Sequence, residues 1–155
     1  MRIPDDIYEK IVRAMPIPCV DLIVSNQAGE ILLVCRTNEP ARGQWWFPGG
    51  RVYFGETRKE AVGRHLLEEC GLHATSPKEL WTCDVILPLA ANDCASHAIT
   101  TLYTMKVKEH DKVTLDSQGS EFAWKKPSTW QRESLHPLMA EFLSKLQKLS
   151  LPQEG

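Results

Sequence analysis

The sequence predicts a single α/β domain, a mixed β-sheet sandwiched between helices. Three observations predict it. Helical and strand-like patterns alternate in the order helix, strands, helix, strands, helix. The strand-like runs are short and rich in β-branched and aromatic residues, as in AITTLYTMKV over residues 98–107. One central helix carries signals at both ends. Thr57 with Glu60 three residues on is a capping-box pattern, and Gly71 stands where a left-handed residue ends a helix. The 155 residues suffice for a sizeable core, and residues 1–155 are read as one domain.

Taken in order, Asp5 to Met15 is expected to be helical, opened by Pro4 and Asp5 and striped by Ile7, Ile11 and Val12. Pro16 and Pro18 stop it. Val20 to Ser25 reads as a strand with one charge, Asp21, in an otherwise apolar run; that acid either faces water at the strand end or faces a substrate. Residues 26–29 form a turn, and Ile31 to Cys35 is the paired strand. Arg36 follows; composition alone makes it a surface cation. Thr37 to Gln44 is a polar loop. Trp45, Trp46 and Phe47 then precede Pro48-Gly49-Gly50, a tight turn able to offer carbonyls to a cation or amides to phosphate. Val52 to Phe54 is expected as a short strand. Lys78 to Pro88 and His97 to Val107 read as two further strands, joined by a loop over Leu89 to Ser96 placed to cover a site. Lys108 to Ser120 is a long polar loop, Glu121 to Lys125 a last strand, and Pro127-Ser128 a helical turn. His136 to Leu149 is an amphipathic helix with Leu138, Met139, Phe142, Leu143, Leu146 and Leu149 on its apolar face.

Composition narrows the function. The chain is 43% hydrophobic and 25% charged, which suits a globular domain. A net charge of −2 gives no general attraction to nucleic acid or anionic lipid, so neither is expected as a partner. No apolar run reaches membrane-span length, and MRIPDDIYEK lacks the apolar core of a signal peptide. The five cysteines (Cys19, Cys35, Cys70, Cys83 and Cys94) are odd in number and form no Cys-x-x-Cys. They are read as small hydrophobes in a reducing, cytoplasmic setting.

The chemistry concentrates in Gly50 to Leu72, GRVYFGETRKEAVGRHLLEECGL. Val62, Leu66, Leu67 and Cys70 share one helical face, while Glu60, Arg64, His65, Glu68 and Glu69 occupy the other arc, with Glu56 just ahead of the cap. Acids one turn apart repel unless a cation intervenes. Single ion pairs such as Glu60–Arg64 or Arg64–Glu68 account for part of the pattern. They do not account for the Gly-Gly entry, the Gly exit and the paired acids together. Oxygen ligands of this kind suit Mg²⁺ or Mn²⁺, and Mg²⁺ usually brings a substrate phosphate.

The stretch resembles the Nudix box, G-x5-E-x7-R-E-U-x-E-E-x-G-U with U apolar. Gly50, Glu56, Arg64, Leu66, Glu68, Glu69, Gly71 and Leu72 fill it, and His65 replaces the Glu after the Arg. The resemblance implies a Nudix-type α/β/α sandwich. Within that family, PIPCVDLIVSNQAGEILLVCRTNEPARGQWWFPGGRV is similar to the N-terminal half of GDP-mannose mannosyl hydrolases. These cleave the sugar carbon–oxygen bond, whereas ordinary Nudix enzymes attack phosphorus. The likeness covers residues 15 to 72 and continues in patches, including Thr100-Thr101 with Tyr103 and Asp116-x-Gln118 ahead of Trp124.

The resemblance implies that the Gly49 carbonyl, Glu69 and Gln118 hold one Mg²⁺. It implies that Arg36 and Arg51 act catalytically on the leaving diphosphate, that Asp21 and Tyr103 lie along the substrate, and that the protein is a homodimer. Two departures stand out. The branch has a His as general base after the loop Gln, where this chain has Gly119. It also loses the first Glu of the Glu-Glu pair, which here remains as Glu68. Glu121, Asp116, His97 and His65 are the candidate bases by position; on bland readings His65 is a surface residue pairing with Glu69 and Gln118 a solvated loop residue.

Three functions stay open. The first is a Mg²⁺-dependent hydrolase of nucleoside diphosphate sugars, favouring GDP-mannose and yielding GDP and mannose. The second is a Nudix pyrophosphohydrolase cleaving P–O–P in a nucleoside diphosphate derivative or triphosphate, with Glu68 catalytic. The third is a non-catalytic nucleotide-binding module.

Overall fold

The computed structural model describes residues 3–88, 95–108 and 111–150. Its elements are α1 (Asp5–Ala14), β1 (Ile17–Ser25), β2 (Ile31–Arg36), β3 (Trp45–Trp46), β4 (Gly49–Arg51), α2 (Arg58–Cys70), β5 (Thr75–Pro88), β6 (Ala95–Lys106), β7 (Gly119–Lys125), α3 (Pro127–Trp130) and α4 (Pro137–Ser150). The sheet runs β3-β2-β1-β6-β5, with β4 also on β1 and β7 also on β2. β1 and β6 pair in parallel, from Ile17 opposite Ala98 to Ser25 opposite Lys106. Its other pairings are antiparallel, so the sheet is mixed.

Alternation along β1 divides the core. Val20, Leu22 and Val24 face α2, packing with Val62, Leu66 and Cys70. Ile23 faces the other way, into the layer that Trp130 and the α4 residues Met139, Phe142 and Leu143 complete. Trp130 is fully buried there and donates its indole N–H to the Ile31 carbonyl at 2.9 Å, which satisfies its one polar atom.

The α2 termini follow the sequence signals. Thr57 accepts from the Glu60 backbone N–H, and the Glu60 carboxylate accepts from Thr57 N in return. Gly71 sits at φ 66°, which L side chains rarely adopt. The buried stripe differs from expectation. Ala61, Val62, His65, Leu66 and Cys70 are buried, while Leu67 is 48% exposed. Leu67 lies one residue, about 100° of helix, beyond Leu66, outside the buried arc, while His65, the same step on the other side, falls within it.

The Pro-Gly-Gly segment also departs from a free turn. Gly49 to Arg51 pairs with β1, Gly49 opposite Asp21, and Leu22 N donates to the Pro48 carbonyl at 2.8 Å. A Cβ at Gly49 would overlap the Val20 carbonyl oxygen, so only glycine permits this approach. Val52 to Phe54, expected as a strand, is irregular, and Phe54 is fully exposed. Both strands of the β5–β6 hairpin run longer than expected; most of the loop expected between them, residues 89–94 with Cys94, lies outside the described residues. Leu149 is 57% exposed where α4 runs past the sheet. Cys70 is buried, Cys19, Cys35 and Cys83 are half-buried, and all four are free thiols. Among the described residues no helix is long and apolar enough to cross a membrane.

The capping box anchors the helix that carries the box acids. Thr57→Ala is expected to lower unfolding free energy by about 1 kcal/mol, read as a lower midpoint in urea with an unchanged slope.

Candidate active site

Two adjoining cavities meet where β1, β4 and the start of the β2–β3 loop converge. The larger, of about 270 Å³, has Asp21 and Thr100 in its floor, Tyr8 of α1 and apolar Ile17, Val85 and Leu87 in its walls. The smaller, of about 20 Å³, is bordered by Gly49, Glu69, Asp116 and Gln118. Arg36 and Asn38 border both.

Asp21 shares the β1 face of Ile23 and is buried in the cleft floor. Thr100 donates to its Oδ2 at 2.7 Å. Its carboxyl is pushed up to about 6 by burial, against the opposing effects of the Thr100 hydrogen bond and the Arg36 charge. Arg36 donates its Nε–H to the Pro40 carbonyl at 2.9 Å, which fixes the guanidinium stem between the cavities. The strand-end acid and the surface cation of the sequence thus meet across one cleft.

The small cavity brings together the three residues Gly49, Glu69 and Gln118. Glu69 Oε2 accepts from Gly49 N–H at 3.2 Å. Glu69 Oε1 lies 2.6 Å from His65 Nδ1, and His65 Nε2 lies 3.0 Å from the Arg51 carbonyl. The ring is therefore clamped between helix and strand, and a Cβ at Gly50 would lie 2.9 Å from its Cε1. His65 pairs with Glu69 as its spacing suggests, but as a buried strut rather than a surface residue. Gln118 is exposed at the loop surface yet borders both cavities.

The other box acids go elsewhere. Arg64 grips Glu56 with two hydrogen bonds of 2.7 and 2.8 Å, donates to the Arg51 carbonyl at 3.0 Å and stacks 3.7 Å over the Tyr53 ring. That grip holds the Glu56 carboxyl below its ordinary range. Glu68 lies 3.4 Å from Arg64 Nη1, is 56% exposed and borders neither cavity. Arg51 places its guanidinium over Tyr8 at 4.9 Å and Tyr53 at 5.1 Å, beside the cleft wall but not in it.

Tyr103 is the site residue that the structure sets apart. It pairs with Leu22 in the layer beneath α2, is 1% exposed, and donates its hydroxyl to Glu79 at 3.0 Å. That layer is on the opposite face of the sheet from Asp21. Residue parity decides it, because Thr100 faces the cleft and Tyr103 is an odd step away. Among the candidate bases, His97 pairs with Asp84 at 2.9 Å and Glu121 is exposed on β7. Neither borders a cavity. Asp116 does. Gly119 leaves no room for the branch's histidine, since a Cβ there would overlap Val34 Cγ1. Sequence reading did not single out Tyr8, and it took Asn38 only as part of the run that carries the family resemblance, without a role; their place in the cleft follows from where α1 and the β2–β3 loop come to lie.

The donor set is chemically suited to a hard cation. Glu69 supplies a carboxylate with lone pairs to spare, Gln118 an amide oxygen and Gly49 a carbonyl. Among the described residues no three His, Cys, Asp or Glu side chains cluster for a metal ion, so a cation here draws on amide and backbone oxygens as well.

Comparisons with known proteins bear on the family and the fold. The family model described as NUDIX domain matches residues 15–146. The low-salt glycan biosynthesis protein Agl8 of Haloferax volcanii is 34% identical over 147 residues, spanning 94% of this chain and 91% of that protein. An RNA pyrophosphohydrolase of Pseudomonas aeruginosa is 44% identical over 57 residues, 37% of this chain and 34% of its own. The crystal structure of a MutT protein from Methanosarcina mazei superposes with a TM-score of 0.72 at 24% identity, covering 87% of this chain and 96% of that one. It attests the fold.

Two outcomes follow from the packing. The folded state holds the Asp21 proton more tightly than the unfolded chain. The resulting stabilisation is complete below about pH 4 and is lost as pH rises through about 6. Asp21→Asn is therefore expected to exceed the parent in stability by about 2–3 kcal/mol near pH 8 and to match it near pH 4, by urea unfolding at each pH. Gly119→His is expected to cost about 1–3 kcal/mol through overpacking against Val34, seen in the same assay.

Proposed function

The chain belongs to the NUDIX family, and from that premise we propose that it is a divalent-cation-dependent hydrolase of nucleoside diphosphate sugars, with GDP-mannose as the favoured substrate and GDP and mannose as products. The observation that carries the reading is the fate of the box acids: only Glu69 borders the small cavity, while Glu56 and Glu68 are turned to Arg64. Glu69 with neutral oxygen donors beside it, and the Asp116 carboxylate at the same cavity, suit one Mg²⁺ or Mn²⁺, which would neutralise charge on the substrate's diphosphate.

The remaining residues fit displacement at carbon. Water forms a new bond to the anomeric carbon, the bond from that carbon to the phosphate oxygen breaks, and the diphosphate leaves with the electron pair. The water gives up its proton to solvent, and the departing diphosphate carries the negative charge. Arg36, between the two cavities, meets the charge that grows on the departing diphosphate, with Arg51 beside the cleft. The Asp21–Thr100 pair offers an acceptor in the cleft floor for a substrate hydroxyl. The likeness to a glycan biosynthesis protein over nearly the whole chain supports a sugar-bearing substrate. Free thiols at all four described cysteines suit a cytoplasmic setting.

Retained Glu68 and the local likeness to RNA pyrophosphohydrolases favour a second reading, cleavage between phosphates. Chromatography of products from GDP-mannose and Mg²⁺ separates the two. GDP with mannose is expected; GMP with mannose 1-phosphate would establish the second reading, and binding without turnover would make the protein a nucleotide-binding module. On the first reading Glu69→Gln lowers turnover about 10²-fold or more, whereas Glu68→Gln leaves it within about a factor of ten of the parent. Equal losses in both variants would favour attack at phosphorus.

A further inference from the structure

We propose that Asp116 is a positioning residue that sets the orientation of the Gln118 amide, so that its oxygen rather than its NH₂ faces the small cavity. The inference rests on the reading of Gln118 as a cation ligand. A glutamine amide presents an acceptor at one end and two donors at the other, and only the oxygen can ligate a cation. A solvent-exposed amide on a loop has little reason of its own to choose. Asp116 supplies the reason. Its Oδ1 accepts from Gln118 N–H at 2.9 Å, and its Oδ2 accepts from Gln118 Nε2 at 3.3 Å. An ionised carboxylate has no donor, so it can hold only the nitrogen end of that amide.

Asp116 is itself fixed. Its N–H donates to the Glu69 carbonyl at 3.2 Å, and Thr114 N–H donates to the Cys70 carbonyl at 2.8 Å, which ties the loop to the last turn of α2. On the far side, the Gln118 carbonyl accepts from Thr37 N–H at 3.0 Å, and the Ser117 carbonyl accepts from the Thr37 hydroxyl at 2.9 Å. The loop is thus pinned between the helix that carries Glu69 and the strand end that carries Arg36. Asp116, Gln118, Glu69 and Gly49 all border the same cavity. With the backbone held from both sides, the Asp116 contact to Nε2 acts on the side chain's own torsions, the last of which decides which end of the amide faces the cavity. Outer groups that orient a ligand commonly account for about 10–100-fold in metal affinity.

The test is Asp116→Asn, read by calorimetric titration of the protein with Mn²⁺ alone and by the Mn²⁺ paramagnetic resonance signal. Asparagine preserves size and keeps one acceptor, but places an NH₂ beside the Gln118 amide and so favours the flipped orientation. Mn²⁺ affinity is expected to fall about 10–100-fold, while the thermal midpoint without metal stays at the parent's value. In a Gln118→Ala background the same change is expected to have no further effect. Parent-like Mn²⁺ affinity in Asp116→Asn would overturn the proposal, as would an equal loss in both backgrounds, since Asp116 would then act on the cation without Gln118. Glu69→Gln separates this from the parent reading. If that variant bound Mn²⁺ as tightly as the parent, the assigned metal site would fail, and not the role of Asp116 within it.

Discussion

The contact between α2 and β4 is the constraint on which the rest of the site depends. His65 and Glu69, one helical turn apart, reach the Arg51 carbonyl and the Gly49 N–H, so a ring and a carboxylate join helix to strand. β4 is laid in turn on β1, with Gly49 opposite Asp21. A path of direct contacts therefore runs from Glu69 through Gly49 and Asp21 to Thr100, from the helix across the sheet. It puts the small cavity and the larger cleft on either side of the same backbone. The approach is close enough that residue 49 can bear no side chain, which is the physical content of the Pro-Gly-Gly segment.

That arrangement also partitions charge. Acids one turn apart in a half-buried setting need cations between them. Arg64 supplies one from the box itself and takes Glu56 and Glu68, while a His65 ring nitrogen holds Glu69. Of the three box acids, Glu69 remains at the cavity, together with Asp116 of the loop and neutral oxygens. The cleft floor is ordered by a separate balance, in which burial raises the Asp21 carboxyl while Arg36 and Thr100 favour its ionised form. The site thus combines a small pocket lined by oxygen donors with a partly apolar cleft, joined by Arg36. Such a pairing suits a substrate that is ionic at a diphosphate and uncharged on a sugar.

Much of this was legible in the sequence because it is local. Thr57, Glu60 and Gly71 signal the ends of α2 through hydrogen bonds within one turn of each end, and the structure follows them. The apolar run of residues 20–25 and the β-branched and aromatic run of residues 98–107 form neighbouring strands at the centre of the sheet. Gly49, Glu69 and Gln118, spread over seventy residues and linked only through family resemblance, border one cavity. Periodicity failed where it could not resolve facing. Leu67 was placed on the packed face and is half-exposed, His65 on the wet arc and is buried. A helical wheel gives angles between side chains but not which neighbour each one meets.

What the sequence determined by itself is the longer elements, their order, the ends of the central helix and the family of its box, because each rests on hydrogen bonds or burial repeated over a few residues; the short strands β3 and β4 were not among them. Only the tertiary structure decided which acids are left for chemistry. Glu56, Glu68 and Glu69 are alike in composition, and all lie close to Arg64 or His65 in the chain. Glu69 alone reaches the cavity because β4, carried in by its pairing with β1, stands at that point of the helix and not at the others. Tyr103 was lost from the cleft for the same kind of reason. It sits an odd number of residues from Thr100 in β6, and a strand sends neighbours to opposite faces.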